Sequence, residues 1–159
     1  MNRISTLVFL ISILFLAAPP ARAQLTTKKA LTLEAAKIIA SRAEAEALKN
    51  KWTMVIAVVD DGGNMIYLEK MDNTQLASVE VAIGKAKTAI SFKRPTKSFE
   101  DRVLAGKTHI LSLPDAILIE GGIPLVVDGQ FIGAIGVSGG ASDQDGVVAK
   151  AAVDGFAAQ

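Results

Sequence analysis

Two turn signals, each set between apolar runs, constrain the fold of this sequence more than any other feature. The first is residues 60–64, Asp-Asp-Gly-Gly-Asn, and the second is the Asp128-Gly129 pair. Turns this short join neighbouring antiparallel strands, whereas parallel strands need a long crossover connection. The sequence therefore predicts two hairpins, with arms at 53–59 and 65–71 and at 124–127 and 130–138. A further short strand is predicted at 116–119.

Helical periodicity of apolar residues marks the segments on either side of these hairpins. Helices are predicted at 32–50, 76–92, 96–105 and 143–156, with Thr32 and Thr96 as N-caps. Gly133 and Gly136 lie inside the last predicted strand, where glycine marks a bulge or the close approach of another backbone or a ligand. The order of elements predicts an α+β fold, with one central antiparallel sheet flanked by helices.

The scarcity of metal-binding side chains excludes several kinds of site. The 159 residues include no cysteine and a single histidine, His109, in a predicted loop at 106–114. Cysteine nucleophiles and thiolate metal sites are therefore excluded, and one chain cannot build a zinc site from several histidines. We expect no metal site within a single chain.

The first 23 residues have the pattern of a secretory signal peptide. Arg3 precedes an apolar run at 7–18, two prolines follow, and Ala21-Arg22-Ala23 offers small residues for cleavage. The run is shorter than the roughly 20 residues of a membrane-spanning helix. We expect residues 24–159 to form a single periplasmic or secreted domain, without membrane contact after cleavage. Cleavage changes the net charge from +1 to −1, so nucleic acid is not an expected partner.

Four glycine-containing segments, followed by Gln144-Asp145, carry a resemblance to a known family. They are residues 58–63, 82–89, 120–125 and 133–140. In this order they resemble the GlcG/HbpS family, which is also represented by the C-terminal domain of PduO, over about residues 31–158. The resemblance implies a profilin-like fold with a five-stranded antiparallel sheet. It also implies a homo-oligomer, and haem binding as in some members of the family.

Several residues in these segments are candidates for binding a ligand. Lys85 and Thr88 lie three residues apart on one helix, so both could face one pocket, where Lys85 could anchor a carboxylate or a haem propionate. Glu120 precedes two glycines whose backbone can approach a ligand closely. Its carboxylate could act as a base or pair with Lys85 or Arg94. The remaining candidates are Gly121, Gly122, Ser138 and Gly139. For each, a structural role in a turn, a cap or the sheet surface is the alternative.

The identity of an iron ligand stays open, because no histidine occupies a matching family position. His109, Met71, Met65 and Tyr67 are the candidates.

Three functions are consistent with these observations. The first is an exported haem- or tetrapyrrole-binding protein that acts in haem sensing, scavenging or degradation. The second is a cofactor-free enzyme that uses Lys85 and Glu120 on a small organic acid, and the third is a non-catalytic oligomeric partner protein.

Overall fold

The computed structural model describes residues 24–157. The predicted signal peptide at 1–23 lies outside the described residues, so its cleavage stays a prediction. The helices are α1 (Leu33–Lys49), α2 (Ser78–Phe92), α3 (Lys97–Leu104) and α4 (Ser142–Ala157), with a 3₁₀ helix at Thr108–Ser112. The strands are β1 (Val55–Asp60), β2 (Met65–Lys70), β3 (Gly122–Val127) and β4 (Gln130–Ser138).

The four strands form one antiparallel sheet in the order β2-β1-β4-β3. Both predicted hairpins are confirmed, and β4 joins them by pairing with β1, so that Val58 lies opposite Ile135. The first turn is held by the Asp60 carboxylate, which accepts hydrogen bonds from the amides of Gly62 and Asn64, both at 2.8 Å. This side-chain to backbone bonding is the reason for an aspartate at the start of the turn.

Helices cover both faces of the sheet. The larger core lies between the sheet and helices α1 and α4, and it contains Ile39, Ile56 and Val148. Helix α2 covers the opposite face through small residues. A Cβ placed on Gly136 would lie 2.0 Å from the carbonyl oxygen of Ala82. The glycine in β4 therefore admits the helix backbone, as the sequence predicted.

The predicted strand at 116–119 is wrong, and the sheet of the described residues has four strands instead of five. The amide of Ile117 donates to Thr88 Oγ1 at 2.9 Å, and the Ile117 side chain packs over Gly84. The segment is thus attached to side chains and backbone of α2. The profilin-like arrangement stays a prediction.

Two other expectations are corrected in detail. The predicted loop around His109 contains the 3₁₀ helix. Thr96 precedes α3, but its side chain makes no capping hydrogen bond. Instead, Thr96 Oγ1 accepts from the Gly122 amide at 2.9 Å, which joins the start of α3 to β3. The cap predicted at Thr32 is confirmed, since its hydroxyl accepts from the Ala35 amide at 3.1 Å.

Candidate functional site

A buried ion pair joins α2 to the start of α4. Lys85 Nζ lies 2.6 Å from Asp145 Oδ2 and also donates to the carbonyl oxygen of Val137 at 3.1 Å. The two side chains are only 1% and 4% exposed. A buried charge must be paired and hydrogen-bonded to be tolerated, and these contacts meet that requirement. The pair therefore fixes α2, β4 and α4 relative to one another.

The surroundings of Asp145 act on its pKa in opposite directions. Burial raises the pKa of the Asp145 carboxyl, while the Lys85 ammonium and the amides of Gly140 and Gly139 lower it. Burial has the larger effect, so the pKa lies above its ordinary value of 3.8. Asp145 Oδ1 accepts from the Gly140 amide at 3.0 Å, which also secures the turn between β4 and α4.

Gly121 separates this ion pair from the surface. Its φ is +122°, in the range that favours glycine. A Cβ at this position would lie 2.7 Å from the Val137 carbonyl oxygen and 2.9 Å from Lys85 Nζ. The glycine thus covers the pair closely and leaves no room for a ligand beside the lysine. Lys85 is consequently not available as an anchor or a catalytic base, contrary to the expectation from its sequence motif.

Gly121 and Gly122 instead form part of the wall of an open cavity of about 310 Å³, here called the glycine cavity. Its other lining residues come from the start of α3, from β3 and from one side of α4: Pro95, Lys97, Glu120, Ile123, Gly146, Lys150, Val153 and Asp154. The walls combine apolar side chains with charged groups at the ends of flexible side chains. Such a combination is typical of sites for small amphipathic ligands.

Glu120 is one of the charged residues that line this cavity. Its carboxylate lies 3.2 Å from Lys97 Nζ and packs over Gly146, where a Cβ would meet Glu120 Oε1 at 2.1 Å. The expected pairing of Glu120 with Lys85 or Arg94 is wrong, since its ion-pair partner is Lys97. Hydrogen bonds to Asp101 and Glu120 raise the pKa of Lys97 above its ordinary value of 10.5.

Thr88 does not share a pocket with Lys85. Its side chain is 2% exposed, and its hydroxyl donates to the carbonyl oxygen of Gly84 at 2.7 Å. Thr88 lines a second cavity, on the side of α2 near the first hairpin turn. The expectation that Lys85 and Thr88 face one pocket is wrong, because the lysine reaches toward Asp145 of α4 and the threonine toward residue 117.

Ser138 and Gly139 have structural roles. The Ser138 hydroxyl donates to Ser78 Oγ at 3.3 Å, which links the end of β4 to the start of α2. Ser138 lines neither the glycine cavity nor the second cavity beside Thr88. A Cβ on Gly139 would lie 2.2 Å from the carbonyl oxygen of Thr53, so this glycine is required for the approach of two backbone segments.

The four candidate iron ligands lie apart from the glycine cavity. His109 is exposed in the 3₁₀ helix. Tyr67 and Met71 pack against the core on the α1 side, where the Tyr67 hydroxyl donates to Glu69 at 3.1 Å. Met65 is 40% exposed on the edge strand β2. None of these residues lines the glycine cavity or the second cavity beside Thr88.

The sequence did not identify Asp145, Lys97 or Lys150 as important residues. For Asp145 a signal existed, since it follows the last glycine segment by a few residues and belongs to the motif that carries the family resemblance. Lys97 and Lys150 lie on α3 and α4, and only the packing of these helices brings them to one cavity. Helical periodicity alone cannot predict that meeting.

Within residues 24–157, no group of three or more histidine, aspartate or glutamate side chains is arranged to hold a metal ion. None of the described helices combines the length and apolar character that crossing a membrane requires.

These features define a class of small α+β domains in which glycines bring a helix and a buried ion pair against one antiparallel sheet. The chain belongs to the HbpS-like family, because the model described as "Haem degrading protein HbpS-like" matches residues 31–154. It is similar to the protein GlcG of Escherichia coli K12, with 43% identity over 112 residues, covering 70% of this chain and 84% of GlcG.

Two solved structures support this assignment. A double mutant of HbpS from Streptomyces reticuli shares 33% identity at a TM-score of 0.74, covering 87% of this chain and 97% of that chain. A PduOC complex with haem shares 30% identity at a TM-score of 0.71, covering 79% of this chain and 94% of that chain. The resemblance read from the glycine segments is thereby confirmed.

Proposed function

We propose that the chain is an exported protein that binds haem or a related tetrapyrrole, for haem sensing, scavenging or degradation. The observation that carries this proposal is the similarity to PduOC, a domain whose structure contains haem, over most of both chains. The description of the family as haem-degrading gives further support.

The glycine cavity is the proposed binding site. Ile123, Val153 and Pro95 offer apolar contacts to a macrocycle, and Lys97 and Lys150 supply cations that suit the two propionates. The chain's residues would hold and orient the tetrapyrrole there, and the bound haem would supply the iron chemistry. A volume of about 310 Å³ is at the lower end of ligand sites, roughly 300–1,000 Å³. Part of the macrocycle would therefore remain outside the cavity.

The side chains in this cavity fit the macrocycle and the propionates better than they fit the iron. The lining includes no imidazole or thioether, and the oxygen donors are the carboxylates of Glu120 and Asp154. Glu120 is the less exposed of the two, with 19% of its side chain accessible, compared with 61% for Asp154. His109 is not among the residues that line this cavity, so we infer that it takes no part in binding.

Hemin titration with absorbance detection tests the proposal. We expect a saturable Soret shift at stoichiometric hemin, weakened by Lys97→Gln combined with Lys150→Gln because both propionate partners are lost. His109→Ala is the matched control and should leave the shift unchanged. Absence of a Soret shift would exclude haem binding. A shift that disappears in His109→Ala would place the haem elsewhere.

Export and homo-oligomerisation complete the proposal. N-terminal sequencing of protein from the periplasm or medium should begin at Gln24, and size-exclusion chromatography with light scattering should give a mass above that of one chain. An uncleaved intracellular protein or a monomer would remove the corresponding part of the proposal. Neither result would affect the hemin titration.

A further inference from the structure

A second cavity, of about 500 Å³, lies on the α2 side of the molecule, away from the glycine cavity. We call it the turn cavity, because the first hairpin turn forms one wall. Its lining residues are Gly62, Gly63 and Asn64 of the turn, Lys87, Thr88, Ser91 and Phe92 of α2, and Pro114 and Asp115. The two cavities have no lining residue in common.

The walls of the turn cavity are held in place by specific hydrogen bonds. The Asp60 carboxylate binds the amides of Gly62 and Asn64 and thereby fixes the turn. Thr88 Oγ1 accepts from the Ile117 amide and so fixes the segment after Asp115 against α2. Because hydrogen bonds already fix these wall segments, a ligand that enters the cavity pays little conformational entropy for ordering them.

The Thr88 hydroxyl and the Asn64 amide are bonded within these walls, whereas three other polar side chains of the lining are exposed and not engaged. The side chains of Lys87, Ser91 and Asp115 make no hydrogen bond or ion pair with any other described residue. Asp115 has a left-handed backbone, with φ of 53°, a conformation that aspartate tolerates better than most residues. Among the described residues, the cavity thus presents one cation, one anion and one hydroxyl without a bonded partner, and Phe92 also lines it.

From this arrangement we propose that the turn cavity binds a small zwitterion, of the chemical class of a free amino acid. The ligand carboxylate pairs with Lys87 and accepts from the Ser91 hydroxyl, while its ammonium group pairs with Asp115. The ligand's apolar part contacts Phe92. Lys87 on α2 and Asp115 in the segment after the 3₁₀ helix supply opposite charges to one cavity, which favours a ligand that carries both charges over one that carries a single charge.

Isothermal titration calorimetry with each of the genetically encoded amino acids, at millimolar concentration, tests this site. At least one should bind saturably, and its carboxamide and deaminated analogues should each bind about tenfold more weakly or worse, since each lacks one charge-assisted contact. Lys87→Gln and Asp115→Asn should weaken binding of the same amino acid to a similar degree. Asparagine tolerates the left-handed backbone at position 115, so this variant should keep its fold.

Lys97→Gln in the glycine cavity is the matched control and should leave amino-acid binding unchanged. Lys87→Gln should conversely leave the hemin titration unchanged, so failure at one site can be told from failure at the other. The proposal would be overturned if none of the amino acids bound saturably. Binding that is unaffected by Lys87→Gln and Asp115→Asn would do the same.

Discussion

Two lysine–carboxylate pairs lie on opposite sides of Gly121, and their surroundings differ greatly. The Lys85–Asp145 pair is 1% and 4% exposed and has additional hydrogen bonds to backbone groups. The Lys97–Glu120 pair is 53% and 19% exposed and lines the glycine cavity. The same chemical groups are thus locked into the fold on one side and open to a ligand on the other.

A lysine that lies in a family motif, such as Lys85, does not have to be a ligand-binding residue. The Lys85 ammonium donates to Asp145 and Val137 in the interior, and removing it would leave a buried carboxylate without a counter-ion. Lys97 is paired in solvent, where an ion pair contributes little to stability and can exchange partners at low cost. Breaking the buried pair should therefore lower the free energy of unfolding, whereas breaking the exposed pair should affect ligand binding and leave stability unchanged.

Lys85→Met should have the largest effect on stability. Asp145 would remain buried without its cation, and loss of one partner of a buried pair costs about 3–5 kcal/mol in the free energy of unfolding. Urea unfolding followed by circular dichroism measures this loss. Lys97→Met, which removes a lysine from the exposed pair, should leave the unfolding midpoint unchanged. Equal losses in the two variants would contradict the assignment of structural and ligand-accessible roles.

The double variant Lys85→Met, Asp145→Leu separates the buried charge from the loss of packing. Apolar replacement of both partners of a buried pair is often close to neutral. The Gly140 amide would lose its acceptor, so a residual loss of about 1–3 kcal/mol is expected. A double variant as unstable as Lys85→Met would mean that the unpaired carboxylate is not the cause.

Gly121→Ala should be the next largest perturbation. The φ of +122° is unfavourable for alanine, and the new Cβ would contact the Val137 carbonyl and Lys85 Nζ. We expect a loss of about 2–4 kcal/mol in the free energy of unfolding. Gly129→Ala is the matched control: its φ is 75° but no atom lies within 4 Å of the added Cβ. That control should lose only about 1–2 kcal/mol. Equal losses would show that contact with the ion pair is unimportant.

The sequence predicted the hairpins and the helices well because their determinants are local. The Asp-Gly-Gly and Asp-Gly turns and the 3.6-residue periodicity act over a few residues. The prediction for residues 116–119 failed because an apolar run of four residues also suits a segment packed on a helix. Only the contacts of Ile117 with Thr88 and Gly84 decide between the two.

The candidate site was harder to predict than the fold. Glu120, Gly121 and Gly122, which were ligand-binding candidates because glycines next to a carboxylate are a local feature, line the glycine cavity, and their binding role stays a prediction. Lys85 and Asp145 are separated by 60 residues, so nothing in the sequence indicated that they would neutralise each other. Because Lys85 is held in this long-range ion pair, its role is structural, although the sequence made it a leading candidate for ligand binding.

The pH dependence of stability should show the smallest effect and tests the buried pair without a large change in packing. Because burial raises the pKa of Asp145 above 3.8, the folded chain retains a proton just above that pH, where the unfolded chain has released it. The contribution of Asp145 should therefore fall as pH rises from 3.8 through the folded-state pKa. Urea unfolding across this range, with the double variant Lys85→Met, Asp145→Leu subtracted as a reference without the titrating group, isolates the contribution. A difference that rises with pH would mean that Lys85 outweighs burial and holds the pKa of Asp145 below its ordinary value.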